Sequence, residues 1–311
     1  MALLFAPFAN IAYYPTMKIS SDQIKGDIYA ICSGLLYGLL GYFGVSIMRA
    51  NLSAENMLFW RFLFAALFLL PAAIYALKPS KLSLKQILSI IVINSVFFAF
   101  TSYFYFLACR YIGSGLAMVI FFTYPMIVTL LSWIFEKQRI TKIYYLSLTL
   151  ILIGLLALMQ KNAMDFDLTG IALATISSFF YALYIFSSKK QSKAMSPIAG
   201  TFLVNIGTCL VCLLLTLWQQ SFVIPDSVSV WGNIIGLAII STALPMLLML
   251  KALKYISANK ASILSVLEPV CVLIVGIVFL NEEVTWLQIS GATTILIGAL
   301  VVQLDGISKR D

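Results

Sequence analysis

The chain has 311 residues, 62% of them hydrophobic and only 10% charged, with a mean hydropathy of +1.01 and a formal charge of +8. Soluble chains run about 45–50% apolar and about 25% charged, so a soluble enzyme, a nucleic-acid binder and a disordered protein are all set aside. The basic residues lie in short gaps between long apolar runs rather than in one stripe, which makes them topology signals of an integral membrane protein.

Residues 1–16 are apolar but have no basic leader region, and Pro7 and Pro15 interrupt them, which argues against a cleaved signal peptide. Met17-Lys18-Ile19-Ser20 has the form of an ordinary bacterial start, and residues 1–25 form an N-terminal tail. A membrane-crossing helix needs about 20 mainly apolar residues, at 1.5 Å of rise each. Ten windows meet that need: 27–48, 56–77, 86–110, 114–135, 142–160, 169–188, 197–219, 230–253, 259–281 and 285–304. They are continuously apolar rather than alternating, which predicts helices and not a β-barrel. With the N-terminus inside, all of the 20 lysines and arginines except Arg49, Arg61, Arg110 and Lys161 fall on the inner side. Both termini are therefore expected in the cytoplasm, with residues 305–311 as a C-terminal tail.

An offset of 144 residues aligns the chain with itself. Gly26, Ser33 and Tyr37 fall on Gly170, Ser177 and Tyr181; Tyr111 and Ile112 fall on Tyr255 and Ile256. Pro125 falls on Pro269, and Ile151 to Gly154 on Ile295 to Gly298. The expected units are 26–161 and 168–304, with five helices each. Five is odd, so the second copy enters the membrane from the opposite side, which is the inverted-repeat architecture of secondary transporters.

Glu268 is the one carboxylate deep inside a span, near the midpoint of window nine. A charge at that depth costs about 2.5–3.5 kcal/mol on insertion scales, so it should face the bundle interior or a wet cavity. Either it couples transport to protons, or it is a neutral group tied to carbonyls that Pro269 leaves without a donor. Tyr124 occupies the equivalent place in window four, and Pro125 and Pro269 should kink their helices symmetrically. Tyr37 and Tyr181, with Ser33 and Ser177 one turn earlier, give windows one and six a polar stripe. Arg61, beside Trp60, either snorkels to the outer headgroups or captures a substrate carboxylate or phosphate. No catalytic or metal-binding set is expected: the chain has no histidine, and Cys209 and Cys212 read as packing residues.

These residues resemble the drug/metabolite transporter superfamily, in its ten-helix EamA-type members. The likeness rests on Tyr124-Pro125, on Leu267-Glu268-Pro269-Val270, and on Phe279 to Thr285 followed by Gly291 and Ile297-Gly298. It covers nearly all of 26–304. It implies a bacterial inner-membrane carrier of a small organic metabolite. No cofactor or nucleic-acid partner is expected beside the substrate and the lipid bilayer, and both a monomer and an oligomer stay open. An amino-acid-like zwitterion or anion is the leading cargo. Uptake of S-adenosylmethionine or a nucleotide-like cofactor is the alternative; a channel or a non-transporting scaffold is the reading of another class.

Overall fold

The computed structural model describes residues 21–40, 42–43, 47, 52–77, 83–137, 140–158, 167–280 and 285–308. The expected start at Met17, most of the N-terminal tail, the Asn281 to Val284 stretch and residues 309–311 lie outside these. Among the described residues the secondary structure is helical, with no strand. The α-helices among the described residues are, in order, α1 Ser21–Tyr37, α2 Ala54–Leu77, α3 Leu84–Phe121, α4 Tyr124–Glu136, α5 Lys142–Leu158 and α6 Leu168–Ala194, then α7 Pro197–Trp218, α8 Val228–Ala238, α9 Leu244–Tyr255, α10 Ala258–Leu264, α11 Glu268–Leu280 and α12 Trp286–Ser308. Six stretches among the described residues are long and apolar enough to cross a membrane: Ala54–Ala76, Ile87–Phe121, Leu168–Ser192, Pro197–Trp218, Val228–Tyr255 and Ala258–Val275. Tyr124–Glu136, Lys142–Leu158 and Trp286–Val301 are shorter apolar helices.

The bundle is turned inside out relative to a soluble protein. Trp218 and Trp286 are 88% and 86% exposed, whereas Asn94, Thr201, Asn205, Thr208 and Thr242 are buried. Apolar side chains facing outward are at no disadvantage in lipid, while polar groups must find partners inside the protein. Buried Thr129, Thr201 and Thr216 donate to the carbonyl four residues back, a local bond that needs no water.

Several expected spans are not single rods. Windows three and four meet inside α3 at one residue, Gly113, whose φ of 72° suits a residue without a side chain. Window four then breaks at Phe122 and Thr123 before α4. Pro125 sits in the first turn of α4 rather than at the centre of a bent helix. Pro269 lies likewise in the first turn of α11, after a 3₁₀ turn at Ser265–Leu267. There the Glu268 N–H donates to Ser265 O, an i→i−3 bond in place of the one Pro269 cannot make. Window eight is broken by a π turn at Ile239–Ala243, between α8 and α9.

Contacts between the halves recur with the halves exchanged. A methyl group on Gly26 would lie 2.8 Å from Ile256 Cγ2, and one on Gly170 would lie 2.5 Å from Ile112 Cγ2. Ser33 donates to Pro245 O at 2.8 Å, and Ser177 donates to Thr101 O at 2.8 Å. Pro245, which has no proline at its matched position, is thus equivalent to Thr101 through its carbonyl. Gly154 packs on Gly291 and Ile295, while Gly298 packs on Ile151. A repeat at constant offset produces this pattern when its copies are related by a twofold axis. The small residues let α5 and α12 approach backbone to backbone, which replaces the hydrophobic drive that lipid removes.

Candidate functional site

The breaks of windows four and nine, at Phe122 and Glu268, border a cavity of about 80 Å³. Its wall includes Tyr37 of α1, Arg61 of α2, Tyr181 of α6 and Glu268 of α11, four of the residues singled out in the sequence. Helix breaks suit such a place, because irregular backbone at membrane depth is tolerated where it lines a cavity or is buried in protein.

Glu268 opens α11 and stays partly exposed to the cavity. No hydrogen bond or ion pair engages its carboxylate among the described residues, and Arg61 lines the same cavity. Arg61 is 3% exposed and turns inward, so the snorkelling geometry is not adopted. Its Nε donates to Thr242 Oγ1 at 2.5 Å and its Nη2 to Ser241 O at 3.2 Å. The guanidinium also lies 5.3 Å from the centre of the Phe62 ring. A buried cation thus has two fixed partners in the π turn and an aromatic face beside it.

Aromatic rings make up much of the rest of the wall. Tyr181 stands 4.6 Å from Tyr124, edge to face, and 5.2 Å from Phe121, centre to centre. Phe98 lies 4.7 Å from Tyr184. Such packing holds the rings in fixed orientations. Tyr124 is 1% exposed and stands behind the wall. Its hydroxyl lies 2.7 Å from Ser265 Oγ and donates to Ser262 O at 3.2 Å, joining the break of the first half to that of the second. Ser177 is also outside the wall, since its bond to Thr101 O ties α6 to α3. The polar stripe predicted for window six therefore divides: Tyr181 faces the cavity and Ser177 a neighbouring helix.

Thr101, Ser102 and Tyr105 of α3 line the cavity as well. Three polar side chains within five residues of a long apolar run are visible in sequence, but their facing follows only from how α3 packs on α6. The Arg61 partners Ser241 and Thr242 had a weaker signal, the proline at 245 within window eight. Cys209 and Cys212 are buried in α7, Cys209 with its sulfur 3.9 Å from Phe59 O.

The model of the EamA-like transporter family matches residues 24–160 and again 168–304. A transporter of Archaeoglobus fulgidus whose function is uncharacterised is 29% identical over 277 residues, covering 89% of this chain and 95% of its own. The threonine/homoserine exporter RhtA of Escherichia coli is 25% identical over 298 residues, covering 91% and 88%. A solved crystal structure superposes on 92% of this chain and 99% of its own, with a TM-score of 0.79 at 15% identity, which shows the fold alone.

Proposed function

The chain belongs to the EamA-like transporter family, and from that premise we propose that it is a secondary carrier of a small zwitterionic metabolite, working by alternating access. The observation that carries this reading is that Arg61 and Glu268 line one aromatic-walled cavity at the helix breaks without bonding to each other. The guanidinium suits a carboxylate and the unpaired Glu268 suits an ammonium group, so the α-carboxylate and α-amine of an amino acid complement the two ends. RhtA, which exports threonine and homoserine, supports the same class of cargo.

In this reading the units 26–161 and 168–304 are five-helix repeats, inverted about an axis in the membrane plane. The exchanged contacts of Gly26 and Gly170, and of Ser33 and Ser177, support it. Two halves that swap conformations give inward-open and outward-open states of similar energy. Ten spans follow from the apolar windows, and both termini in the cytoplasm from the lysine and arginine bias; a bacterial inner membrane is what the family implies. Counterflow of labelled L-threonine into proteoliposomes, with S-adenosylmethionine and nucleosides as competitors, tests the class. Saturable counterflow is expected, inhibited by amino acids. Flux that never saturates would point to a channel. Glu268→Gln should keep the fold and lose most of the uptake driven by a pH gradient, whereas loss of the folded protein would make Glu268 a helix-shaping residue.

A further inference from the structure

The guanidinium of Arg61 belongs to the first half of the chain, but the groups that orient it belong to the second. In an α-helix the Ser241 carbonyl would accept the N–H of residue 245. Residue 245 is proline and has none, and Ser241 O accepts Arg61 Nη2 instead. The neighbouring hydroxyl is committed in a complementary way. Thr242 Oγ1 donates its one proton to Leu237 O, at 2.9 Å and five residues back, so only its lone pairs are left to offer. They accept Arg61 Nε at 2.5 Å. The π turn supplies this geometry: the Leu244 N–H bonds to Ile239 O, five residues back, and the extra residue brings two acceptors to one face.

Nε and Nη2 form the side edge of the guanidinium, so both bonds to the π turn use that edge. Of the five N–H groups, the others have no hydrogen-bond partner among the described residues. Two of them, one on each Nη, point together from the end edge, the spacing that a carboxylate bridges with both oxygens.

We infer that Thr242 and the Ser241 carbonyl freed by Pro245 are positioning elements that hold Arg61 edge-on, so that its end edge grips the substrate carboxylate. This rests on the carboxylate-binding role given to Arg61 above. An arginine free to rotate would lose rotamer entropy on each binding event, and its charge would satisfy itself elsewhere in the bundle. The device also predicts an order of sensitivity. Removing the Thr242 acceptor loosens one bond, and restoring an N–H at 245 lets the backbone compete for the other.

The test is binding of L-threonine and of L-threoninamide, which lacks the carboxylate, to the full-length protein in nanodiscs, by calorimetry. Thr242→Val should weaken L-threonine by about tenfold or more, the size of one lost charge-assisted hydrogen bond, and leave L-threoninamide unchanged. Thr242→Ser keeps the acceptor and should restore the L-threonine affinity. Pro245→Ala should shift the two ligands in the same sense as Thr242→Val. Equal weakening of both ligands by Thr242→Val would mean a general packing defect, and no weakening would mean that Arg61 needs no holding; either overturns the inference. Arg61→Gln separates this from the underlying reading. If it abolishes the preference for the carboxylate while Thr242→Val does not, the positioning role alone is wrong. If it leaves that preference intact, or if L-threonine does not bind the unaltered chain, the carboxylate role of Arg61 falls and the positioning role with it.

Discussion

The starts of α1 and α6 are matched by the repeat, and so are the surfaces on which they pack, yet the two seams are held by different chemistry. In both, a glycine meets a Tyr-Ile pair of the other half: Gly26 on Tyr255 and Ile256, Gly170 on Tyr111 and Ile112. One residue further the likeness ends. Asp27 forms an ion pair with Lys260 at 2.9 Å, with the two side chains only 13% and 7% exposed. Their counterparts, Ile171 and Leu116, pack against the apolar cluster around Ala108 and Ala174. The steric template is thus duplicated and the charge is not. Close approach depends on residue size at the offset, which repeats, whereas the bond across the seam depends on two separate positions that have diverged.

Removing one partner of the buried pair is the strongest way to break the comparison. Lys260→Met leaves the Asp27 carboxylate buried without its cation, and should destabilise the protein by about 3–5 kcal/mol in a denaturation assay in detergent. The double variant Asp27→Leu, Lys260→Met makes the first seam resemble the second and should recover most of that loss, since a well-packed apolar pair often equals a buried ion pair. Failure to recover would show that the pair fixes the geometry of the seam as well as its charge balance.

A smaller effect sharpens the part that is shared. Gly26→Ala and Gly170→Ala place a methyl group 2.8 Å and 2.5 Å from an Ile side chain, and each should cost about 1–3 kcal/mol by overpacking. The two losses should agree within about 1 kcal/mol. A large difference would mean that the seams are not equivalent even sterically.

The smallest effect concerns the helix start itself. Asp167 caps α6, accepting from the N–H groups of Thr169 at 2.7 Å and Gly170 at 3.1 Å. The Gly170 N–H above all, together with Thr169, holds the Asp167 carboxyl below its ordinary range. Its contribution is therefore full above the ordinary aspartate value of about 3.9 and is lost as pH falls through the lower folded value. The protection of the Thr169 and Gly170 amides against exchange, taken relative to the free-peptide rate at each pH, should fall in that acid range, and Asp167→Ala should remove the dependence. The start of α1 carries instead an exposed pair of Lys25 and Asp22 at 3.0 Å, which holds the Lys25 ammonium above its ordinary value.

Much of the site was legible without coordinates, but unevenly. Tyr37, Tyr181 and Glu268 announce themselves because a polar group in the middle of an apolar run is expensive unless it faces a cavity. Tyr124 is found in the sequence as the counterpart of Glu268 at the repeat offset, and it sits one layer back because its hydroxyl is satisfied by Ser265 instead of the cavity. For Arg61 the sequence favours snorkelling to the outer headgroups over capture of a substrate anion, and the structure turns it inward. Its inward turn depends on Ser241 and Thr242, some 180 residues away in sequence. No local pattern encodes that meeting.

The apolar, helical character of the runs and the self-match at an offset of 144 residues were determined by the sequence alone; the placing of the helix breaks was only hinted at, since Pro125 and Pro269 mark first turns instead of mid-helix kinks and the π turn at Ile239–Ala243 had no pattern of its own. Transfer to lipid is a sum over local residues, and a missing proline N–H is felt within one turn. The tertiary structure alone decided which wall each polar side chain joins, that Lys260 meets Asp27 across 233 residues, and that one seam is ionic while its counterpart is apolar. Those choices depend on how far each helix is rotated about its axis, and rotation is set by packing against neighbours distant in the chain.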